Sequence, residues 1–494
     1  MKLKYLYIST LILLLGSCTK GFDDIENPNS STVVPPSVLF TGVSRAAFAG
    51  LADAGQQAAQ FYVSYNGGAL DEITYYFQRN SFSEYTHLRN AERLIIEAEN
   101  QNAPTYYLGL AKFLKAYLFV QLTQKVGDIP YSNALLAKDG VIQPVYDSQK
   151  DIYIDVLKQL EEANDLIPAT GTVVGDIIFD GSLLKWKKLV NTFRLRVLMS
   201  LSLKTGNSEL NVINQFKMIY ENPDKYPIMT SNADNAAFRY YDVTGAKHFW
   251  SSVTAPTAFR LSTTLGDIMK SNADPRLSKF FEVPAATPAA NPNDPASYKS
   301  IDHGVTTATS APLLNTTSPL HSRYIGKPVV EPYLQVAYHE LQFILAEASF
   351  RGWISGNVET FYNEGVRSSC KFYGISDADI DRFLSGNVKY NEADGLKRIN
   401  TQRWVAYFMN SGYEAYWNHR RTRMKNFDPA NVNTDLGYPQ FRIGVVNRND
   451  GKLANRFLYP LDEVYTNETN VTQAVVRQFG TDNINGLMWS LIKE

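Results

Sequence analysis

Cysteine and histidine are scarce in this chain of 494 residues. It contains two cysteines, Cys18 and Cys370, and six histidines that are scattered along the sequence. A framework of several disulfides is therefore excluded, and a histidine-rich metal site is not expected. Because disulfides and metal sites of this kind are not available to stabilise the fold, stability must come from a large apolar core, which a chain of this length can bury.

Motifs that mark common enzyme classes are also missing. The sequence has no G-x-S-x-G nucleophile elbow, no phosphate-binding loop and no dinucleotide fingerprint. His339-Glu340 begins like the H-E-x-x-H motif of zinc proteases, but Phe343 stands where the second histidine must be. His339 is therefore predicted to lie on a helix surface. The 49 acidic residues leave carboxylate pairs open, although none stands out with glycosidase geometry. No catalytic residue, metal or cofactor is expected.

Neither sign of charge dominates. With 48 basic and 49 acidic residues the formal net charge is −1, so no general attraction to nucleic acid or to anionic lipid is implied. Long apolar runs are absent after the N-terminus, and no later segment is predicted to span a membrane.

The N-terminus has the pattern of an export signal. Lys2 and Lys4 precede an apolar run over residues 5–15, which is shorter than the roughly 20 residues that span a bilayer but is typical of a signal peptide. Residues 15–18 (LGSC) resemble a bacterial lipobox, which predicts a signal peptide over residues 1–17 and lipidation of Cys18. An ordinary secretory signal and a short anchor helix are the alternatives.

Lipidation at Cys18 would tether the protein to a membrane that it does not cross. Two or more acyl chains give stable anchoring where one does not. Residues 18–40 are polar, with acids at Asp23, Asp24 and Glu26, and are interpreted as a flexible tether. Cys370 is then left without a disulfide partner.

The rest of the chain is predicted to be a single, mostly α-helical domain over residues 41–494. Apolar stripes with helical spacing follow residue 105 up to a turn at residues 127–130, run over residues 152–166, and follow Ser182 as N-cap. Similar spacing returns over residues 334–366, with Leu334 in the stripe. We expect tetratricopeptide-like helix hairpins packed as a scaffold, although no clean 34-residue repeat is present. Residues 225–330, rich in Pro, Thr, Ser and Asn, form a loop-rich insertion.

Aromatic side chains make up 13% of the chain, and most are assigned to the core. Two groups fall in irregular segments and are the candidate ligand-binding residues. They are Tyr75, Tyr76, Phe77, Arg79 and Asn80 in the first group, and Tyr240, Tyr241, Phe249 and Trp250 in the second. A ring face can pack on the apolar face of a sugar while nearby polar groups bond its hydroxyls. The alternative is that these rings fill the base of the loops.

A basic cluster over residues 419–423 (HRRTR) follows Trp417. It could form an anion site, or its guanidinium groups could cap helix carbonyls and pair with acids, which is the favoured interpretation.

A set of short motifs resembles one known family. In chain order they are residues 111–117 (AKFLKAY), 127–131 (GDIPY), 344–348 (ILAEA), 362–367 (YNEGVR), 402–404 (QRW), Trp417 with 420–422 (RRT), and 457–463 (FLYPLDE). With Cys18 and its acidic tether, this order resembles the SusD/RagB-like outer-membrane nutrient-binding lipoproteins of Bacteroidetes, in particular the SusD-like group two branch. The resemblance covers nearly the whole mature chain.

The resemblance implies a helical scaffold of four tetratricopeptide-like pairs that supports a loop-rich ligand-binding face. It implies a lipid-anchored outer-membrane protein facing the cell exterior, which binds an oligosaccharide or another nutrient and delivers it to a SusC-like TonB-dependent transporter. Such proteins bind and do not catalyse. The shared motifs are scaffold, so no ligand residue is carried over from them. A surface-anchored helical scaffold or a polysaccharide hydrolase is the alternative.

Overall fold

The computed structural model describes residues 33–50, 53–64, 71–79, 81–252, 259–287, 291–423 and 439–494. The predicted signal peptide, Cys18 and the acids of the tether lie outside these residues. As predicted, the described part is mostly α-helical. Its helices are α1 Pro36–Phe48, α2 Asp53–Ala58, α3 Asp71–Thr74, α4 Glu84–Asn100, α5 Tyr106–Val126, α6 Gln149–Leu166, α7 Leu183–Ser200, α8 Val212–Glu221, α9 Thr263–Ser271, α10 Leu277–Phe280, α11 Thr307–Ser310, α12 Tyr338–Phe350, α13 Val358–Phe372, α14 Asp377–Ser385, α15 Gly395–Ala406, α16 Glu414–Arg423, α17 Leu461–Thr466 and α18 Glu468–Phe479. The first of them begins earlier than the predicted tether boundary at residue 41.

Consecutive helices pack as pairs, which confirms the expected hairpin scaffold. Helix α4 lies against α5, α5 against α6, and α12 against α13. Two glycines permit the close approach: a Cβ atom at Gly109 would lie 2.9 Å from Ile167 Cγ1, and one at Gly365 would lie 2.8 Å from the Phe343 ring. A larger residue at either place would push the paired helices apart.

The centre of the scaffold is filled by aromatic rings. Trp186 on α7 is fully buried and meets Phe113 of α5 edge-on, with ring centroids 6.0 Å apart. Phe113 in turn meets Phe193 at 5.8 Å. Most of the aromatic content is therefore core, as the composition predicts.

Local signals set several helix ends. Ser182 is the N-cap of α7, and its hydroxyl accepts a hydrogen bond from the Lys185 amide at 3.4 Å. Helix α5 ends at Val126 and is capped by Gly127, whose φ of 97° suits glycine, and the chain then turns as predicted. Ser262 caps α9 in the same way as Ser182 caps α7.

Three short antiparallel strand pairs lie among the helices of the described chain. They are β1 Tyr62–Ser64 with β5 Phe259–Leu261, β2 Ile129–Pro130 with β3 Tyr146–Asp147, and β4 Ala236–Phe238 with β6 Tyr333–Val336. The assignment of Leu334 to a helical stripe was wrong, because this residue pairs with Ala237 in the β4–β6 ladder. Two of the pairs attach the loop-rich insertion to the scaffold.

No helix in the described ranges combines the length and apolar character needed to cross a membrane.

Candidate functional site

The first aromatic group is divided between the core and the surface. Tyr75 and Phe77 are fully buried. The Tyr75 hydroxyl donates to the Ala58 carbonyl at 3.0 Å and accepts from Gln60 Nε2 at 2.7 Å, and burial raises its pKa well above the usual value. Phe77 stacks on Phe457 with ring centroids 4.5 Å apart.

Tyr76 and Arg79 reach the surface. Tyr76 is half-buried, and the guanidinium carbon of Arg448 lies 4.5 Å from the centroid of its ring. Arg79 is exposed and donates to the Tyr459 carbonyl at 2.7 Å and to Asp482 at 3.1 Å. Asn80 lies outside the described residues.

The second group is divided in the same way. Trp250 is buried and stacks on Phe259 at 4.5 Å, while buried Tyr240 meets the His248 ring edge-on at 5.0 Å. By contrast, Tyr241 is 55% exposed and Phe249 is 37% exposed.

The exposed members of the second group have apolar neighbours. Val243 and Val329 are also exposed, and a backbone hydrogen bond from His248 to the Pro328 carbonyl holds the two segments together. We call Tyr241, Val243, Phe249 and Val329 the aromatic shelf. The backbone bond places these four exposed apolar residues on neighbouring segments, where a ligand can reach them.

A large groove lies elsewhere, next to the loop-rich insertion. It has a volume of about 870 Å³ and is drawn from residues within 263–272, 302–305, 397–401 and 439–445, which we call the polar groove. This volume is within the range of about 300–1,000 Å³ that is usual for ligand sites. Two of its four segments belong to the loop-rich insertion, but nothing in the sequence places the other two beside them.

Arg442 organises the charges of the groove. Its Nη2 lies 2.7 Å from Asp267 Oδ2 of α9, and its Nη1 lies 3.3 Å from Asp302 Oδ1. His303 lies at the base and is buried, and its burial lowers its pKa to about 4, so the ring is neutral at neutral pH. The groove therefore presents hydrogen-bond donors and acceptors side by side.

The wall of the groove leads towards Tyr76. Gly304 and Gly444 touch at the base, where a Cβ atom on Gly444 would lie 2.3 Å from the His303 carbonyl oxygen. From there the chain continues to Arg448, whose amide donates to the Thr74 carbonyl at 2.8 Å and whose side chain covers Tyr76. One half-buried ring of the first group thus lies along the same segment as the groove.

The basic cluster is structural. Arg420 donates to the carbonyls of Asn455 at 2.5 Å and Gln124 at 3.0 Å, and Arg421 pairs with Glu347 at 2.7 Å. Burial alone would raise the pKa of Glu347, but Arg421 and Arg351 outweigh burial and hold the pKa below its usual value. The favoured interpretation of carbonyl caps and acid pairs is confirmed.

The placement of His339 on a helix surface was wrong. Its side chain is 1% exposed, and burial lowers its pKa to about 4. Its neighbour Glu340 accepts from Arg196 Nε at 2.7 Å and from the Tyr407 hydroxyl at 2.7 Å within the core. Over the described ranges, no three His, Cys, Asp or Glu side chains are grouped as metal ligands.

Comparison with known proteins identifies the family. Residues 28–460 match the family model SusD-like_2, described as starch-binding and associating with the outer membrane. The chain belongs to this SusD-like family. Its members are non-catalytic binding proteins of the outer membrane, so the resemblance noted in the sequence is confirmed, and the hydrolase alternative is not supported.

Solved structures agree with the family assignment. A SusD homolog from Bacteroides fragilis is 32% identical with a TM-score of 0.83, over 93% of this chain and 100% of that chain. A structure from Bacteroides vulgatus, whose description suggests an outer-membrane protein involved in nutrient binding, is 29% identical with the same TM-score and coverage. A chitin-binding protein is 27% identical with a TM-score of 0.74, over 93% and 100% of the two chains. No curated protein matches the sequence.

Proposed function

We propose that this protein is a cell-surface lipoprotein that captures an oligosaccharide and delivers it to a SusC-like TonB-dependent transporter for import. The observation that carries the proposal is the SusD-like family match over residues 28–460. The 27% identity to a chitin-binding protein over 93% of this chain supports a glycan as the nutrient.

The anchor in this proposal is Cys18. Lipidation there, after removal of residues 1–17, attaches the chain to the outer membrane, and the tether joins the lipid to the folded part. The fifteen Cα–Cα steps from Cys18 to Val33 can span at most about 54 Å. This reach keeps the binding protein beside a transporter in the same membrane while leaving it free to move.

Exposed aromatic rings supply the first contacts with the ligand. Tyr241 and Phe249 on the aromatic shelf are the exposed members of the second predicted group, and Tyr76 is the half-buried ring of the first. Such rings can pack on sugar faces. Buried Trp250 supports exposed Phe249 directly, with ring centroids 4.5 Å apart.

Binding is tested with residues 18–494 carrying Cys18→Ser, which lack only the signal peptide and the lipid. A glycan array is expected to show binding to at least one oligosaccharide class, and product analysis of the bound glycan is expected to show no cleavage. Failure to bind any glycan would reject an oligosaccharide as the nutrient.

Anchoring and partnership need the full chain. Lipid labelling of the wild type and loss of the label in Cys18→Ser are expected, with a matching loss from the outer-membrane fraction. Affinity purification from detergent-solubilised outer membranes is expected to recover a TonB-dependent barrel. If the Cys18→Ser protein is found in the outer-membrane fraction to the same extent as the wild type, the lipid anchor is contradicted.

A further inference from the structure

We propose that a small cavity inside the helical scaffold binds one structural water molecule, which bridges Glu414 to Arg403 and Arg420. We call it the core cavity. Its lining is drawn from helices α5, α6, α7, α15 and α16 and from the C-terminal segment. The site is separate from the polar groove and from the aromatic shelf, and it includes Arg420 of the basic cluster.

The core cavity has room for a water molecule and for little more. Its volume is about 20 Å³, and a cavity of about 10–15 Å³ is large enough to hold one water. It is too small for a sugar ring. An adjoining cavity of about 190 Å³, which Glu414 also lines, provides a path by which the water can enter.

Two guanidinium groups at the core cavity each have an N–H without a protein partner. Arg403 donates from Nε to the Tyr407 hydroxyl at 3.0 Å and from Nη2 to Glu340 at 3.2 Å, but its Nη1 has no partner among the described residues. Arg420 donates to backbone carbonyls through both Nη atoms, and its Nε has no partner in the same part of the chain. Both side chains are 3% exposed. Buried N–H groups of this kind are costly unless a polar partner satisfies them.

Two acceptors line the same cavity. Gln124 is buried, and its Oε1 accepts no hydrogen bond from any residue that the structure describes. The carboxylate of Glu414 likewise forms no ion pair or side-chain hydrogen bond within the described ranges. Burial raises the pKa of Glu414, and the charges of Arg196, Arg403 and Arg420 oppose this shift. These guanidinium groups are therefore close enough to act on the carboxylate without bonding it directly.

These groups match the bonding capacity of one water molecule. A buried water forms up to four hydrogen bonds. It can accept from Arg403 Nη1 and Arg420 Nε and donate to Gln124 Oε1 and the Glu414 carboxylate. A halide ion would suit the two donors but would be repelled by Glu414, so the mixed lining favours water.

The first test replaces Gln124, because its side-chain oxygen bonds no described residue. An unpartnered buried oxygen can be replaced by an apolar group without loss of stability. If the oxygen instead accepts from the water, Gln124→Met in the Cys18→Ser chain should lower the folding equilibrium constant, measured by urea unfolding, by about fivefold or more.

Gln342→Met is the matched control. Gln342 is also a buried glutamine on a helix, its side chain has no hydrogen bond to the described residues, and it does not line the core cavity. Its replacement should change the folding equilibrium little. If Gln124→Met is no less stable than Gln342→Met, the bridge is wrong.

A crystal structure of the Cys18→Ser chain locates the water directly, and it decides the case if Gln124→Met does not fold. Density for one water is expected within about 2.7–3.2 Å of at least three of the four bridging atoms. Crystals soaked in bromide should give no anomalous peak at this position.

Two crystallographic results would overturn the proposal. A bromide peak in the core cavity would show that the site takes an anion, and a direct contact of Glu414 with Arg403 or Arg420 would show that no bridge is needed. Neither result concerns glycan binding, so the proposed function would stand.

Discussion

Gln60 clamps Arg442 through both ends of one side-chain amide, although the two residues are 382 positions apart in the chain. The same amide accepts from Thr264 and donates to Tyr75, so a single buried side chain joins the groove to the first aromatic group.

Loss of this clamp should destabilise the protein. Gln60→Leu leaves the Arg442 amide and the Thr264 hydroxyl without their partner, and unpaired buried groups of this kind cost about 1–3 kcal/mol each. We expect the free energy of unfolding, measured in urea, to fall by about 2 kcal/mol or more. Gln78→Leu, at an exposed glutamine whose amide bonds Asp71 at 3.1 Å, is the control and should change little. Equal effects of the two substitutions would argue against the clamp.

Exposed and buried rings of the second aromatic group should respond differently to truncation. Tyr241→Ala removes an exposed ring, so unfolding should change by no more than about 0.5 kcal/mol, whereas glycan binding should weaken by about 1–3 kcal/mol. Trp250→Ala removes a buried ring and should lower the free energy of unfolding by about 3–5 kcal/mol. Calorimetric titration and urea unfolding of both variants make the comparison. Unchanged glycan binding in Tyr241→Ala would remove the aromatic shelf from the ligand site.

Acid should destabilise the protein through its buried histidines. Burial lowers the pKa of His339 to about 4, with Glu340 opposing this shift and Arg276 and Arg196 adding to it. An unfolded histidine has a pKa of about 6.5, so the unfolded state takes up the proton first as pH falls. The stability contribution is complete above about pH 6.5 and is lost progressively towards pH 4, with a loss of about 1.4 kcal/mol at a pH near 5.5.

The pH prediction is checked by comparing the stability of the wild type with that of a variant that lacks His339. Urea unfolding of the wild type and of His339→Gln is compared at about pH 7 and about pH 5.5. The variant is expected to be less stable at both values but to lose less stability on acidification. Because other titrating groups are common to both proteins, the difference isolates His339. Parallel pH profiles would show that this histidine does not titrate in the expected way.

Cys370 should be inert in the folded protein. It lies on α13 with no exposed surface, and burial raises the pKa of its thiol to about 12, so very little thiolate is present at neutral pH. In the Cys18→Ser chain it is the only thiol. An aromatic disulfide reagent should therefore react only after urea is added, with one equivalent of thiol released. Rapid reaction without urea would contradict the buried position.

The sequence predicts those parts of the fold that depend on neighbours along the chain. Helix α7 can be predicted from the sequence because its apolar spacing and its Ser182 cap both depend on residues that are close together along the chain. The helical prediction for Leu334 fails because its strand forms only by pairing with Ala237, almost a hundred residues earlier in the chain. His339 is misread for the same reason, since its burial depends on how α12 packs against other helices.

The sequence predicts which types of residue form the candidate site, but not which of those residues are exposed or lie together in the fold. The sequence singles out Tyr241 and Trp250 alike, and only packing separates the exposed ring from the buried one. The polar groove could not be predicted, because Asp267, Asp302 and Arg442 are unremarkable residues until folding brings three distant segments together. The loop-rich composition of residues 225–330 draws attention to the two groove segments that lie within that range. It gives no information about the segments at residues 397–401 and 439–445.

The ion pairs inside the scaffold, such as Arg421 with Glu347, share no residue with the exposed Asp267–Arg442–Asp302 array. The charges along the groove can therefore be exchanged as a set while the ion pairs inside the scaffold are kept. The charge of this surface can change without a change in the helical frame.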